Sequence, residues 1–184
     1  EPLALLSLMA RLGSSKPVEL VHSLDELIAG FDVGSFGAAP TKFDAEDLFP
    51  LTRAHVQSLP YDKVADKVAA LGVPADKAEA FWRVAKDNIT VMADLEGWWK
   101  LVSEGAEPAI EPEDAEFIGQ AMALLPAGPY TPATWGEWTA AVKEATGRKG
   151  KGLFMPLRKA LTGQAHGPEM ADLLPLLQVI RAKG

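Results

Sequence analysis

The sequence predicts an all-α fold in two helical subdomains, residues 1–104 and 116–184, and three observations carry that expectation. Apolar residues recur at spacings of three and four instead of two, so each segment presents one apolar face per helical turn. Prolines, glycines and small polar residues stand where helices start and stop. Residues 105–115, "GAEPAIEPEDA", interrupt the pattern with prolines and acids and read as a linker.

The elements follow in order. "PLALLSLMARLG" reads as a helix with Pro2 in its first turn and Gly13 just past its end. "SLDELIAGF" carries the capping-box pair Ser23 and Glu26. "FDAEDLFPLTRAHVQSLP" reads as a helix started by Asp44 that is either kinked at Pro50 or really begins near Pro50. "YDKVADKVAALG" puts Val64, Val68 and Leu71 on one face and stops at Gly72; "VPADKAEAFWRVAKDN" starts behind Pro74. "TVMADLEGWWKLVSEG" is expected to be capped by Thr90. After the linker come "PEDAEFIGQAMALLP" and "TWGEWTAAVKEATG", the latter expected to be boxed by Thr134 with Glu137 and stopped at Gly147. "LFMPLRKALTG" ends at Gly163, and "GPEMADLLPLLQVIRAKG" opens with Pro168 and breaks at Pro175. Ten or eleven short helices result.

Composition removes several functional classes. The 184 residues are 48% hydrophobic and 23% charged, as in an ordinary globular protein. There is no cysteine, hence no disulfide or thiolate metal site, which suits a reducing compartment. His22, His55 and His166 lie far apart, so no metal site is expected. No apolar run reaches the length of a membrane span, and the opening "EPLALLSLMARLG" lacks the basic start and cleavage site of a signal peptide. The chain begins without methionine, as a piece of a longer protein would. GxxxxGK[ST], GxGxxG and GxSxG are all missing, and the acids sit at helix starts, where they oppose the helix dipole. No catalytic residue is expected. The tryptophans, Trp82, Trp98, Trp99, Trp135 and Trp138, stand in helical register with apolar neighbours and read as packing before base stacking.

One stretch runs against the formal charge of −7. "GRKGKGLFMPLRKALTG" (Gly147–Gly163) holds Arg148, Lys149, Lys151, Arg158 and Lys159 and no acid. Screening confines each charge to roughly 10 Å, so local cations matter more for phosphate than the net balance. The residues alone leave two readings open. They make a solvated basic helix start, or they make a nucleic-acid contact in which glycines loosen the approach and Arg158 presents a planar donor fork.

"GKGLFMPLRKALTGQAHGPEMADLLPLL" resembles the C-terminal anticodon-binding region of bacterial glutamyl-tRNA synthetases, which are class I aminoacyl-tRNA synthetases. The resemblance rests on Lys149 to Gly152, Pro156-Leu157-Arg158, Ala160-Leu161-Thr162-Gly163, Gly167-Pro168 and Leu173-Leu174. "EPLALLSLMARLGSS", "FDVGSFGAAPTKFDAEDL" and "FWRVAKDNITVMADLEGWW" look like earlier segments of the same family, so the resemblance covers essentially the whole chain.

The resemblance implies recognition of tRNA(Glu) through its anticodon loop. It assigns base contacts to Arg158, Gly167, Pro168 and Met170. A further family arginine that reads the third anticodon base falls on Asn88 here, a departure that Lys86 or Arg83 could make good. Arg148, Lys149, Lys151 and Lys159 would hold phosphates and backbone. HIGH and KMSKS-type motifs are missing, so ATP and magnesium would belong to a catalytic half outside this chain, which would be inactive alone. The partners implied are tRNA(Glu) and that N-terminal catalytic domain, with no membrane, in a cytoplasmic monomer. A stand-alone module with a regulatory or protein-binding role is the alternative, and a plain helical scaffold is a third reading.

Overall fold

The structure, a computed structural model, describes residues 1–183. The described residues contain ten α-helices, joined by loops and short 3-10 turns. They contain no strand, and the one extended pairing is an isolated bridge between Ser14 and Phe36. The fold is all-α, as the spacing of apolar residues predicts. It divides into two compact units, one of Glu1–Val64 with Ile89–Asp94 and one of Ala65–Asn88 with Leu95 onward. This division does not fall at 105–115, which lies inside the second unit.

The first unit is built on α1 (Pro2–Met9), α2 (Leu24–Gly30) and α3 (Leu48–Ser58). α1 packs on α3 through Ala4, Leu8 and Leu51, with Leu20 and Leu48 at the margin. Ser7 sits in this apolar contact because both sides of its hydroxyl are used. It donates to the Leu3 carbonyl at 2.7 Å and accepts from the Val21 N–H at 3.0 Å. Ser23 caps α2 by accepting from the Glu26 N–H at 3.1 Å. The Glu26 carboxylate reaches back one residue further than a regular capping box, to the His22 N–H at 2.9 Å. α3 begins near Pro50, as the second alternative has it. A 3-10 turn over Ala45–Asp47 leads into a helix that begins at Leu48, and Pro50 lies in its first turn, where an N–H has no intrahelical acceptor to lose. The cap expected of Thr90 is made the other way round, since the Asp94 carboxylate accepts from the Thr90 and Val91 N–H groups at 2.8 and 3.0 Å.

The second unit holds α4 (Ala65–Ala70), α5 (Ala75–Ala85), α6 (Asp94–Glu104, from Leu95), α7 (Ala115–Leu124), α8 (Pro132–Thr146), α9 (Lys151–Thr162) and α10 (Met170–Leu173). Its core gathers Phe81, Trp138, Leu153, Leu157, Leu173 and Leu174, each almost fully buried. The α9 contribution comes from Leu153, Leu157 and Leu161, which stand at intervals of four and so share one helical face. Trp82 and Trp138 are buried, and Phe81 meets Trp99 edge to face at 5.5 Å, so these rings are packing groups. The box on α8 is Thr131 with Thr134, not Thr134 with Glu137, because Pro132 at the first helical position moves the start earlier.

Residues 105–115 form a strap along the second unit. The Ala109 N–H donates to the Lys159 carbonyl at 3.1 Å, near the end of α9. Gly163 closes α9 in a left-handed conformation with φ 69°, and a β-carbon there would stand 2.7 Å from the Glu107 carbonyl. The strap lies too close to α9 for any other residue at 163.

Candidate nucleic-acid interface

A groove of about 280 Å³ opens in the second unit, lined among others by Arg83, Asn88, Gly167, Pro168, Glu169 and Asp172. Two separate stretches build it. A 3-10 turn over Lys86–Asn88 extends α5 and brings Arg83 and Asn88 to one wall. The loop between α9 and α10 supplies the other wall with Gly167, Pro168 and Glu169. Asn88 is held in place by its own amide, whose Nδ2–H donates to the Val84 carbonyl at 3.1 Å.

Arg158 adjoins this groove from α9. Its Nη1 is buried and donates to nothing. A β-carbon built on Gly167 would lie 3.4 Å from that Nη1 and 3.2 Å from Cη2 of Trp98. Gly167 has φ 150°, a conformation that L-residues rarely adopt. A side chain at 167 would thus be crowded by the indole edge and meet the guanidinium. Burial lowers the pKa of Arg158, and the nearby Glu169 carboxylate acts in the opposite direction. A guanidinium remains charged through the physiological range. A buried, charged donor without an acceptor is costly.

The sequence-predicted residues divide into three sets. Arg158, Gly167, Pro168 and Asn88 come together around the groove, although they are distant in the chain. Met170 is 2% exposed and fills the core beneath α10, so its side chain is a packing group. The basic residues separate. Lys149 and Lys151 are exposed, without an ion pair among the described residues. Arg148 is tied to Asp114, lies 4.0 Å over the Phe117 ring and donates to the Gly152 carbonyl at 3.4 Å. That carbonyl is the one Pro156 leaves without its helical N–H, so Arg148 fills a gap in α9. Lys159 donates to Glu111 at 2.6 Å.

Glu169 and Trp98 were not legible as site residues. Glu169 looks like any other acid at a helix start, and Trp98 like its packing neighbours. The one available clue was the position of Glu169 directly after Gly167-Pro168. No group of three or more histidines or carboxylates among the described residues is placed to hold a metal ion, and no described helix is long and apolar enough to cross a membrane.

The family described as "Anticodon binding domain" matches residues 63–179, which takes in nearly all of the second unit. The chain belongs to this family. Among similar curated proteins, glutamate–tRNA ligase 1 of Cereibacter sphaeroides is 77% identical over 184 residues, covering 100% of this chain and 42% of that protein. Glutamate–tRNA ligase 1 of Paracoccus denitrificans is 70% identical over 183 residues, again covering 100% of this chain and 42% of the relative. The anticodon binding domain chain therefore spans less than half the length of these relatives. A solved glutamate–tRNA synthetase from Elizabethkingia anophelis superposes with a TM-score of 0.72 over 96% of this chain and 38% of that one, at 21% identity. A glutamate–tRNA ligase from Elizabethkingia meningosepticum gives 0.73 over 95% of this chain and 38% of its own, at 23% identity. At these identities the likeness speaks for the all-α fold.

Proposed function

We propose that this anticodon binding domain chain recognises the anticodon loop of tRNA(Glu) and serves as the RNA-reading portion of a glutamate–tRNA ligase. The observation that carries the reading is Arg158, whose buried Nη1 has no acceptor and stands beside the bare backbone of Gly167. Anticodon bases are single-stranded and can be splayed, so their edges are open to such a fork. Asn88 and Glu169 add an amide and an acceptor at the same groove. Lys149 and Lys151, both exposed, are the phosphate contacts in this reading.

The remainder of the longer protein supplies the chemistry, including ATP and magnesium. Its proposed docking surface is the first unit, where Met9, Ile28 and Phe49 are 52%, 63% and 55% exposed. The protein acts in this reading as a cytoplasmic monomer.

Gel-shift titration of tRNA(Glu) tests the assignment. Arg158→Ala is expected to lose about 1–3 kcal/mol and to relax preference at one anticodon position. Arg158→Lys, which keeps the charge and loses the fork, is expected to lose the same preference. Unchanged affinity and preference in both variants would overturn the role of Arg158.

A further inference from the structure

Two of the five cations in the basic stretch, Arg148 and Lys159, are answered from within the molecule. The strap 105–115 brings Glu111 to Lys159 at 2.6 Å, Asp114 to Arg148 and Glu107 to Arg181 at 3.4 Å. These pairs join residues far apart in sequence, so the chain path places the acids there. The backbone fixes the arrangement through the bond from Ala109 N–H to the Lys159 carbonyl at 3.1 Å and the close seat of Glu107 on Gly163.

The pairs differ in what they do. Arg148 is half-buried, lies on Phe117 and serves the Gly152 carbonyl, so Asp114 completes a structural contact. Lys159 has no such internal duty. Its ammonium lies at the surface, within reach of a passing phosphate, and Glu111 occupies it. The Lys159 ammonium is held above its ordinary pKa first by the hydrogen bond to Glu111, and the charges of Asp114 and Glu113 add to that. An exposed pair of this kind contributes little to stability. Its larger consequence is the field presented to an approaching polyanion.

We infer that Glu111, supported by Glu113, is a specificity-determining residue that screens Lys159 and keeps the basic stretch from holding nucleic acid by phosphates alone. The inference deepens the RNA-reading role proposed above and rests on it. A cation masked by a built-in carboxylate releases no counterion to a phosphate, so affinity must come from contacts that only the correct loop makes. Lys149 and Lys151 are left to attract the backbone, and Arg158 to select the base.

The test measures binding of a uridine homopolymer and of a tRNA with an unrelated anticodon, across a salt series, by the whole chain and by Glu111→Gln/Glu113→Gln. Both substituted positions are exposed, and the amides keep the shape and an acceptor. The expected result is about a two- to fivefold gain for both non-cognate RNAs, the fold-change equivalent of a surface ion pair. The log–log salt slope for the homopolymer should steepen by about 0.7, the value for one added phosphate contact on a single strand. Glu79→Gln/Glu96→Gln removes two carboxylates from exposed positions elsewhere in the unit and controls for net charge. Unchanged affinity and slope in the first variant, or an equal gain in the control, overturns the inference. Failure of the unsubstituted chain to bind tRNA(Glu) would count against the proposed function instead, since the change in non-cognate binding is read independently.

Discussion

The Nη1 atom of Arg158 lies 3.4 Å from where a β-carbon would stand on Gly167, so a side chain there would press on the guanidinium, and glycine leaves that space open. The position depends on glycine twice over, through φ 150° and through the Trp98 edge, which would stand 3.2 Å from a β-carbon. Gly167→Ala is therefore expected to destabilise the second unit by about 1–3 kcal/mol, the range for an L-residue forced into a sparsely populated backbone region. It should also displace the Arg158 fork. Urea unfolding followed by tryptophan fluorescence checks the first effect, and tRNA titration under folded conditions checks the second.

Trp138 is expected to be the most sensitive hydrogen-bonded core position. Its Nε1–H donates at 2.8 Å to the Ala121 carbonyl, one of the last four carbonyls of α7 that the helix itself cannot satisfy. Trp138→Phe keeps an aromatic ring but leaves that buried acceptor empty. The expected loss is about 1–3 kcal/mol, read from the denaturation midpoint at unchanged slope.

Arg148 should behave as a structural residue despite its place in the basic stretch. Arg148→Met removes the ion pair to Asp114, the contact with Phe117 and the donor to the carbonyl that Pro156 orphans. A loss of about 2 kcal/mol is expected, the scale of a hydrogen bond to a charged group. Lys149→Met, at an exposed neighbour, should leave stability within about 0.5 kcal/mol and weaken RNA binding instead. Thermal unfolding of the two variants side by side separates the roles.

The Lys159–Glu111 pair predicts a specific alkaline response. Lys159 has its folded-state pKa raised above the ordinary 10.5, chiefly by the hydrogen bond to Glu111. A group with a raised folded pKa contributes its stabilisation fully below the unfolded value and loses it as pH rises through the folded value. The contribution is thus intact at neutral pH and disappears only above about pH 10.5. Lys159→Met should flatten the fall in stability over that alkaline window and leave its shape near neutrality unchanged. Urea midpoints collected from pH 8 to 11.5 check this, and identical alkaline slopes in both proteins would contradict it.

Much of the second unit's helical framework could be read residue by residue. The intervals of four in Leu153, Leu157 and Leu161 define the buried face of α9, and Gly147 and Gly163 end α8 and α9 in the left-handed conformation. Boundaries slipped where a local competitor was stronger than the expected cap. Pro132 pulled the start of α8 to Thr131, and the Asp94 carboxylate replaced Thr90 because it could reach two backbone donors at once. The resemblance points to Arg158, Gly167, Pro168 and Met170 alike and places Asn88 where the family pattern has arginine, and nothing local distinguishes Met170 as core from its neighbours as surface. Its burial depends on which face α10 turns to the rest of the unit.

Residue spacing and punctuation settle which segments are helices, because periodicity, caps and stops act within a turn or two of chain. They also mark the basic stretch, because charge can be counted. Which of those charges remain available is decided only by the tertiary structure. A strap of acids lies alongside α9, takes Lys159 and Arg148 as partners and leaves Lys149 and Lys151 exposed. The same packing sets the loop of Gly167 against Arg158 and brings Asn88 to the far wall of their groove. Such pairings join residues that no local rule connects, since electrostatics and close contact act through space over a few ångströms and are blind to distance along the chain.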